Sequence, residues 1–345
     1  MLALRLYGPG DIRLEEVPVP EINEQEILLK TDAAAVCGTD VRMWQNGQKG
    51  VDAEHPLILG HEFAGTIVKV GKQVPFYREG MQVAMQPNIG CGICDRCVDG
   101  KFHLCDDYRA FGINMDGAFA EYVKIPAEAV TRGNLMVLPE GVTPAEAAVT
   151  EPLSCAYNGF TKCFVQPGEY AMVVGAGPIG FCHALLLHMA GAVVLMNDIS
   201  AERLAEVKEK LPFVETYSGD DLAGFVKQWT HGRGLDVAIT ACPVPAVQAA
   251  MLPLMNYGGR VNFFGGIPAS KQPVAIDTNQ IHYHELYVTG STRSSIAQFR
   301  KTLEFVSKGL LDVNAMITDQ YELKDILTAF ENARQAKGIK HVIKF

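Results

Sequence analysis

The sequence predicts an α/β chain in two parts: a β-rich, loop-laden first domain and a parallel sheet doubly wound by helices. Three observations carry this. At 345 residues the chain exceeds what one hydrophobic core usually organises. Its first part is dense in Gly and Pro, with short β-branched runs such as Glu26–Lys30 and Gly65–Val70. From about Pro167, strand-like and helix-like segments alternate, the pattern of a parallel sheet covered on both faces. Tyr170–Val174 reads as a strand, Ile179–Met189 as a helix and Ala192–Asn197 as the next strand; Ser200 then caps a helix through Leu211. Leu235–Thr240, a helix Ala246–Met255, Arg260–Phe264 and Leu286–Thr289 continue the alternation. Ile296–Gly309 and Leu323–Lys337 are helical in pattern, and His341–Phe345 is a short strand. Periodicity leaves open whether this tail extends the parallel sheet or returns to the first domain.

Hydrophobic residues at 48% and charged residues at 20% are the balance of a folded protein. A formal net charge of −9 lacks the basic footprint that nucleic acid or an anionic membrane surface selects, so neither is an expected partner. Met1–Tyr7 is broken by Arg5 and makes no secretory signal. Of nine cysteines, four crowd between Cys91 and Cys105, a pattern of metal binding rather than disulfides. The expected compartment is therefore the reducing cytoplasm. Tyr170–Asn197 carries no Asp, Glu, Lys or Arg, yet its glycines, Pro178, His183 and His188 suit a buried strand–turn–helix–strand better than a membrane span.

Gly175-Ala176-Gly177-Pro178-Ile179-Gly180 follows the first of these strands and opens a helix. Gly175 permits the tight turn, Gly177 lets the backbone approach a pyrophosphate, and Gly180 allows close helix–strand packing. The helix N-terminus then offers unpaired amides to phosphate, which makes this a Rossmann-type dinucleotide site. Asp198, 18 residues beyond Gly180 at the end of the next strand, can bond both ribose hydroxyls and repel a 2′-phosphate, favouring NAD over NADP. Asp198 can equally serve the N-terminus of the following helix beside Ser200. Arg203, one turn on, can cover the adenine or lie on a solvated face.

Cys91-x2-Cys94-x2-Cys97-x7-Cys105 supplies four thiolates within fifteen residues. Tetrahedral structural zinc takes four such ligands at ~2.3 Å and leaves no open position. Bacterial ferredoxin spacing ends in a three-residue gap and a proline; here the gap is seven and Asp106 follows. Apart from this cluster stand Cys37-Gly38-Thr39-Asp40 and Gly60-His61-Glu62-Phe63-Ala64-Gly65, which hold Cys, His and Glu, the ligand types of catalytic zinc. Taken alone, Cys37 could be a small core residue and His61 a satisfied polar one.

Together, these two segments, the four-cysteine lobe, Glu151-Pro152-Leu153-Ser154 and the glycine hexad resemble the zinc-dependent medium-chain dehydrogenases, nearest the sorbitol (polyol) and threonine dehydrogenase branch. The resemblance spans essentially the whole chain. It implies a GroES-like catalytic domain over residues 1–155 and 292–345, with a structural-zinc lobe at 88–108, around a Rossmann NAD-binding domain at 156–291. It implies two zincs per chain and a homodimer or homotetramer. Cys37 and His61 fall on ligands of the catalytic zinc, joined by Glu62 or Glu151, one directly and the other through water. Thr39 falls on the hydroxyl of a proton relay, with a helix cap as its alternative. Gly265-Gly266-Ile267 and Ser291-Thr292-Arg293 fall on loops beside the nicotinamide. Cys155 is expected in the core, and His282 and His284, alternating in a strand-like run, as packing residues.

The implied reaction moves a hydride from a secondary alcohol, a polyol or sugar alcohol or its phosphate or acid, to NAD+, giving the ketone. L-Threonine 3-dehydrogenase is the alternative, favoured by His103-Leu104-Cys105 and Gly117–Tyr122; Phe263–Gly266 and Ile276–Asn279 favour the polyol side. A non-catalytic NAD-binding redox sensor would need the hexad but not Cys37, His61, Glu62 and Glu151 together. Two departures stand out. Ala241-Cys242-Pro243 replaces a common Thr/Ser-Gly turn, and Arg42 stands where the branch usually has histidine. Arginine stays protonated and cannot take a relayed proton. The nicotinamide ribose and water would then complete the route, and Arg42 would hold an anionic substrate group or a surface ion pair.

Overall fold

The computed structural model describes residues 1–345 and resolves the chain into two compact units. The first comprises Met1–Ser154, Ser294–Gly309 and Ile317–Phe345; the second comprises Cys155–Arg293 and Leu310–Met316.

The first unit is built on a seven-stranded sheet. Its central strand, Ile27–Ala35, runs antiparallel to Glu62–Val70 on one side and to Lys340–Lys344 on the other. Tyr122–Ile125 also pairs with Ile27–Ala35, along its first half. The tail therefore returns to the first domain, and Ile317–Glu322 lies parallel on the outer side of Lys340–Lys344. Beneath the sheet a core of Phe63, Phe119, Phe330, Leu29 and Ile343 is sealed from water. Phe119 and Phe330 meet edge to face at 5.5 Å, an arrangement their ring quadrupoles favour. Strand Glu62–Val70 starts three residues before the β-branched run announces it, because its opening residues are buried on both sides rather than alternating. Before it, Gly60 adopts φ +96°, and a Cβ there would meet the Phe119 amide nitrogen at 2.8 Å. Only glycine allows that turn, which leads directly into His61.

The second unit is a six-stranded, all-parallel sheet in the order Glu215–Tyr217, Val193–Asn197, Tyr170–Val174, Leu235–Thr240, Met255–Phe263, Tyr287–Gly290. Strand order thus reverses beside Tyr170–Val174, the switch point at which such sheets bind dinucleotides. Two expectations are corrected here. The expected helix Ala246–Met255 is Pro245–Met251, followed by a 3₁₀ turn Leu252–Leu254, and the next strand begins at Met255 rather than Arg260. Gly258 and Gly259 hid that strand; they sit where the pairing with Leu235–Thr240 shifts register. His282 and His284 lie not in a strand but in the helix Thr278–His284, which Asp277 caps and Glu285 ends with φ +52°. His284 packs on Tyr257 at 4.6 Å. No helix of the chain is long and apolar enough to cross a membrane.

Candidate functional site

Helix Gly38–Asn46 begins with Cys37 as its N-cap in extended conformation. Asp40, three residues on and fully buried, does two jobs. Its Oδ2 accepts the Cys37 N–H at 2.9 Å, and its Oδ1 faces His61 Nδ1 at 3.3 Å. The cap is therefore held by Asp40, and Thr39 sits in the first turn, half-buried, rather than at the cap. Ligand atoms of Cys37, His61 and Glu62 lie within 4.8 Å of one another. Burial pushes the His61 pKa down, but the Asp40 carboxylate and the Cys37 thiol outweigh it and hold the imidazole well above its ordinary range. Such a site pulls in positive charge. One sulfur, one nitrogen and one oxygen, with a carboxylate behind the histidine, is the donor set of a catalytic zinc with three protein ligands.

Glu62 is wholly buried, and its Oε2 lies 2.5 Å from Lys340 Nζ, itself buried. The Glu62 carboxylate thus enters the site with a cation behind it. Glu151 is also buried, in the first turn of helix Thr150–Thr161, but it is not among the three clustered ligands. Ser154 Oγ donates to the Glu151 carbonyl and pairs with Ser294 Oγ at 2.7 Å. Cys155 is half-buried rather than in the core. Asp40 and Lys340 escaped the sequence reading as functional groups. Asp40 had a signal, an acid three residues after an N-cap; Lys340 had none, since only the fold brings it to Glu62.

The four-cysteine lobe is assembled as the spacing predicts. Cys91, Cys94, Cys97 and Cys105 present sulfurs mutually within 4.8 Å, with Cys91–Cys97 at 3.9 Å and Cys94–Cys105 at 3.8 Å. Four sulfurs bound tetrahedrally at ~2.3 Å stand about 3.8 Å apart, so the lobe fits zinc without rearrangement. The Ile93 and Cys94 amides lower the Cys91 pKa to about 6, while burial raises Cys97 to about 12. Arg132 clamps the lobe by donating to the carbonyls of Gly90 and Cys91. All nine cysteines are free thiols.

In the second unit, every dinucleotide candidate follows the carboxyl end of a parallel strand. Gly175 turns at φ +110°, and a Cβ on Gly180 would stand 1.8 Å from the Gly175 carbonyl. Gly177 caps the helix Pro178–Met189, which Pro178 and Ile179 open. Space above Gly177 is open except for Arg203 Nη1, 3.8 Å from where a Cβ would be. Asp198 meets the helix N-terminus reading, since Oδ1 accepts the Ser200 N–H at 2.9 Å, and its Oδ2 accepts the Ala176 N–H of the glycine hexad at 2.7 Å. Gly265 packs against the Cys242 backbone, Gly266 is open, and the Ile267 carbonyl accepts from Gln272. Ser291 hydrogen-bonds Asn262 at 3.0 Å, and Asn158 Nδ2 donates to the carbonyls of Thr292 and Arg293. The two late loops are thereby anchored to the unit that carries the glycine hexad.

Comparison with known proteins agrees with this geometry. Residues 23–135 match the alcohol dehydrogenase GroES-like domain, and residues 178–308 match the zinc-binding dehydrogenase family. Sorbitol dehydrogenase of Bacillus subtilis (strain 168) is 31% identical over 342 residues, which is 98% of this chain and 95% of that protein. L-Threonine 3-dehydrogenase of Bacillus velezensis is 34% identical, covering 96% of this chain and 94% of that protein. A crystal structure of a zinc-binding dehydrogenase of Sinorhizobium meliloti 1021 bound to NADP superposes with a TM-score of 0.87 at 28% identity, covering 100% of this chain and 99% of that one.

Proposed function

The chain belongs to the zinc-dependent medium-chain dehydrogenases, in their polyol and threonine dehydrogenase branch, and from that premise we propose that it oxidises a secondary alcohol of the polyol class to the ketone with NAD+. The observation that carries the reading is the Cys37–His61–Glu62 cluster backed by Asp40. A redox sensor that only binds NAD has no use for such a cluster.

Cys37, His61 and Glu62 would hold the catalytic zinc, which supplies a Lewis acid that lowers the pKa of an alcohol oxygen. Asp40 keeps His61 in one tautomer and one orientation, with Nδ1 turned to the carboxylate. Thr39 offers the hydroxyl that accepts the alcohol proton and passes it towards solvent. NAD+, when bound, would supply the hydride acceptor for the carbinol carbon, so that the alcohol would be oxidised to the ketone, NAD+ reduced, and one proton released by way of Thr39. Asp198 takes the ribose hydroxyls and disfavours the 2′-phosphate of NADP. Cys91, Cys94, Cys97 and Cys105 would hold a second zinc, which would stiffen the loop and take no part in the chemistry. Free thiols throughout fit a reducing cytoplasm. Strand Tyr287–Gly290 is an open sheet edge flanked by exposed Tyr257, Tyr283 and Tyr287, which suits pairing with a second copy of the chain.

The 34% identity to a threonine dehydrogenase keeps L-threonine as the second reading. The test is NADH formation by zinc-loaded protein with alditols, alditol phosphates, aldonic acids and L-threonine, each with NAD+ and NADP+, alongside zinc analysis. Polyol turnover with two zincs per chain supports the proposal; threonine turnover replaces it; no turnover with one zinc returns the sensor.

A further inference from the structure

Arg5, Arg13, Arg96, Arg109 and Arg334, all in the first unit, each hold a carboxylate, whereas the exposed Arg78 of that unit holds none. Arg42 holds none either, so the ion-pair reading of this residue is removed: it is exposed and its side chain makes no hydrogen bond or ion pair. The cause is local. Its neighbours one turn away on helix Gly38–Asn46 are Gly38, Thr39, Gln45 and Asn46, none of them acidic. The helix's one carboxylate, Asp40, faces the opposite way and is committed to Cys37 and His61. Asp40, Val41 and Met43 form the buried face, leaving Thr39 and Arg42 on the other, three residues apart and adjacent. A helical side chain covers the turn N-terminal to its own Cα, and for Arg42 that turn starts at the Cys37 cap.

Resting on the reading above, we infer that Arg42 is a specificity-determining residue that holds an anionic group of the substrate, so that the preferred alcohol carries a phosphate or carboxylate. A guanidinium matches either anion with two parallel N–H donors and never loses its charge. Here it is uncompensated by any protein carboxylate and lies beside the hydroxyl that handles the reacting alcohol. In a chain of net charge −9, one unneutralised arginine at this point also offsets the general repulsion of an anion.

The test uses the zinc-loaded enzyme and a matched set of ligands: a hexitol, its terminal phosphate, and the corresponding aldonic acid. Calorimetric titration compares the wild type with Arg42→Ala and Arg42→Lys, and steady-state kinetics follow wherever turnover occurs. The expected result is that wild type binds one of the two anionic ligands at least 10-fold more tightly than the hexitol. Arg42→Ala should weaken that ligand ~10- to 100-fold, the worth of a charge-assisted hydrogen-bonded pair, through KM more than kcat. Its effect on the hexitol should stay within about 3-fold, Arg42→Lys should recover part of the loss, and raised salt should erode the preference. Whichever anion responds identifies the group. Equal Kd values for anion and hexitol, or an equal loss on both in Arg42→Ala, overturn the inference. Anion binding that depends on Arg42 without turnover of any alcohol would instead sink the proposed reaction and leave the site standing.

Discussion

At Asp40 one carboxylate fixes both the start of a helix and the direction of an imidazole. Asp40→Asn keeps the shape but loses the charge behind His61. Zinc affinity and activity should fall ~10- to 100-fold, the usual cost of removing such a partner, as read by metal titration. The Cys-Gly-Thr-Asp segment showed this acid in the sequence, yet its role needed His61, which the left-handed Gly60 sets just ahead of strand Glu62–Val70. His183 is the opposite case. It is fully buried against Phe264 at 4.9 Å, neither ring nitrogen has a partner, and desolvation lowers its pKa to about 3. With the folded value below the ordinary 6.5, the unfolded chain binds the extra proton between about pH 3 and 6.5. Stability contributed by the neutral form is complete above that window and is lost as pH falls through it. His183→Leu should therefore flatten the acid side of the stability profile and be neutral or stabilising at pH 7, measured by urea melts across pH.

Among the elements, those with an uninterrupted apolar run were fully legible: Tyr170–Val174 and Leu235–Thr240 have the bounds that their composition announces. Two that failed did so because glycine or histidine supplied the wrong local signal. Gly258 and Gly259 masked the first half of Met255–Phe263, and the spacing of His282 and His284 imitated a strand within one short helix. At the glycine hexad, composition and geometry coincide. Adding one methyl at Gly180 places it on the Gly175 carbonyl, backbone against backbone. Gly180→Ala should force the helix Pro178–Met189 off its strand, abolishing NAD binding by calorimetry and lowering Tm by several degrees.

Across the whole molecule, the folding of distant segments onto one sheet decided what the sequence could not. No periodicity shows that Lys340–Lys344 lies beside Ile27–Ala35, which is what sets Lys340 Nζ against Glu62. Lys340→Met would leave a buried carboxylate without its cation, at about 3–5 kcal/mol in the metal-free protein. Zinc should restore a large part of that, because a divalent ion supplies the missing charge. Parallel thermal melts with and without zinc measure both effects; equal losses in the two would show that Glu62 does not meet the metal. The same pairing imposes an order in time. During synthesis Ile27–Ala35 and Glu62 emerge from the ribosome long before Lys340 does, and the whole parallel-sheet segment Cys155–Arg293 is made in the interval. Segments that form a unit on their own can fold while translation continues. The Glu62 carboxylate, by contrast, gains its buried protein cation only when the last strand arrives, after the parallel-sheet segment has been made.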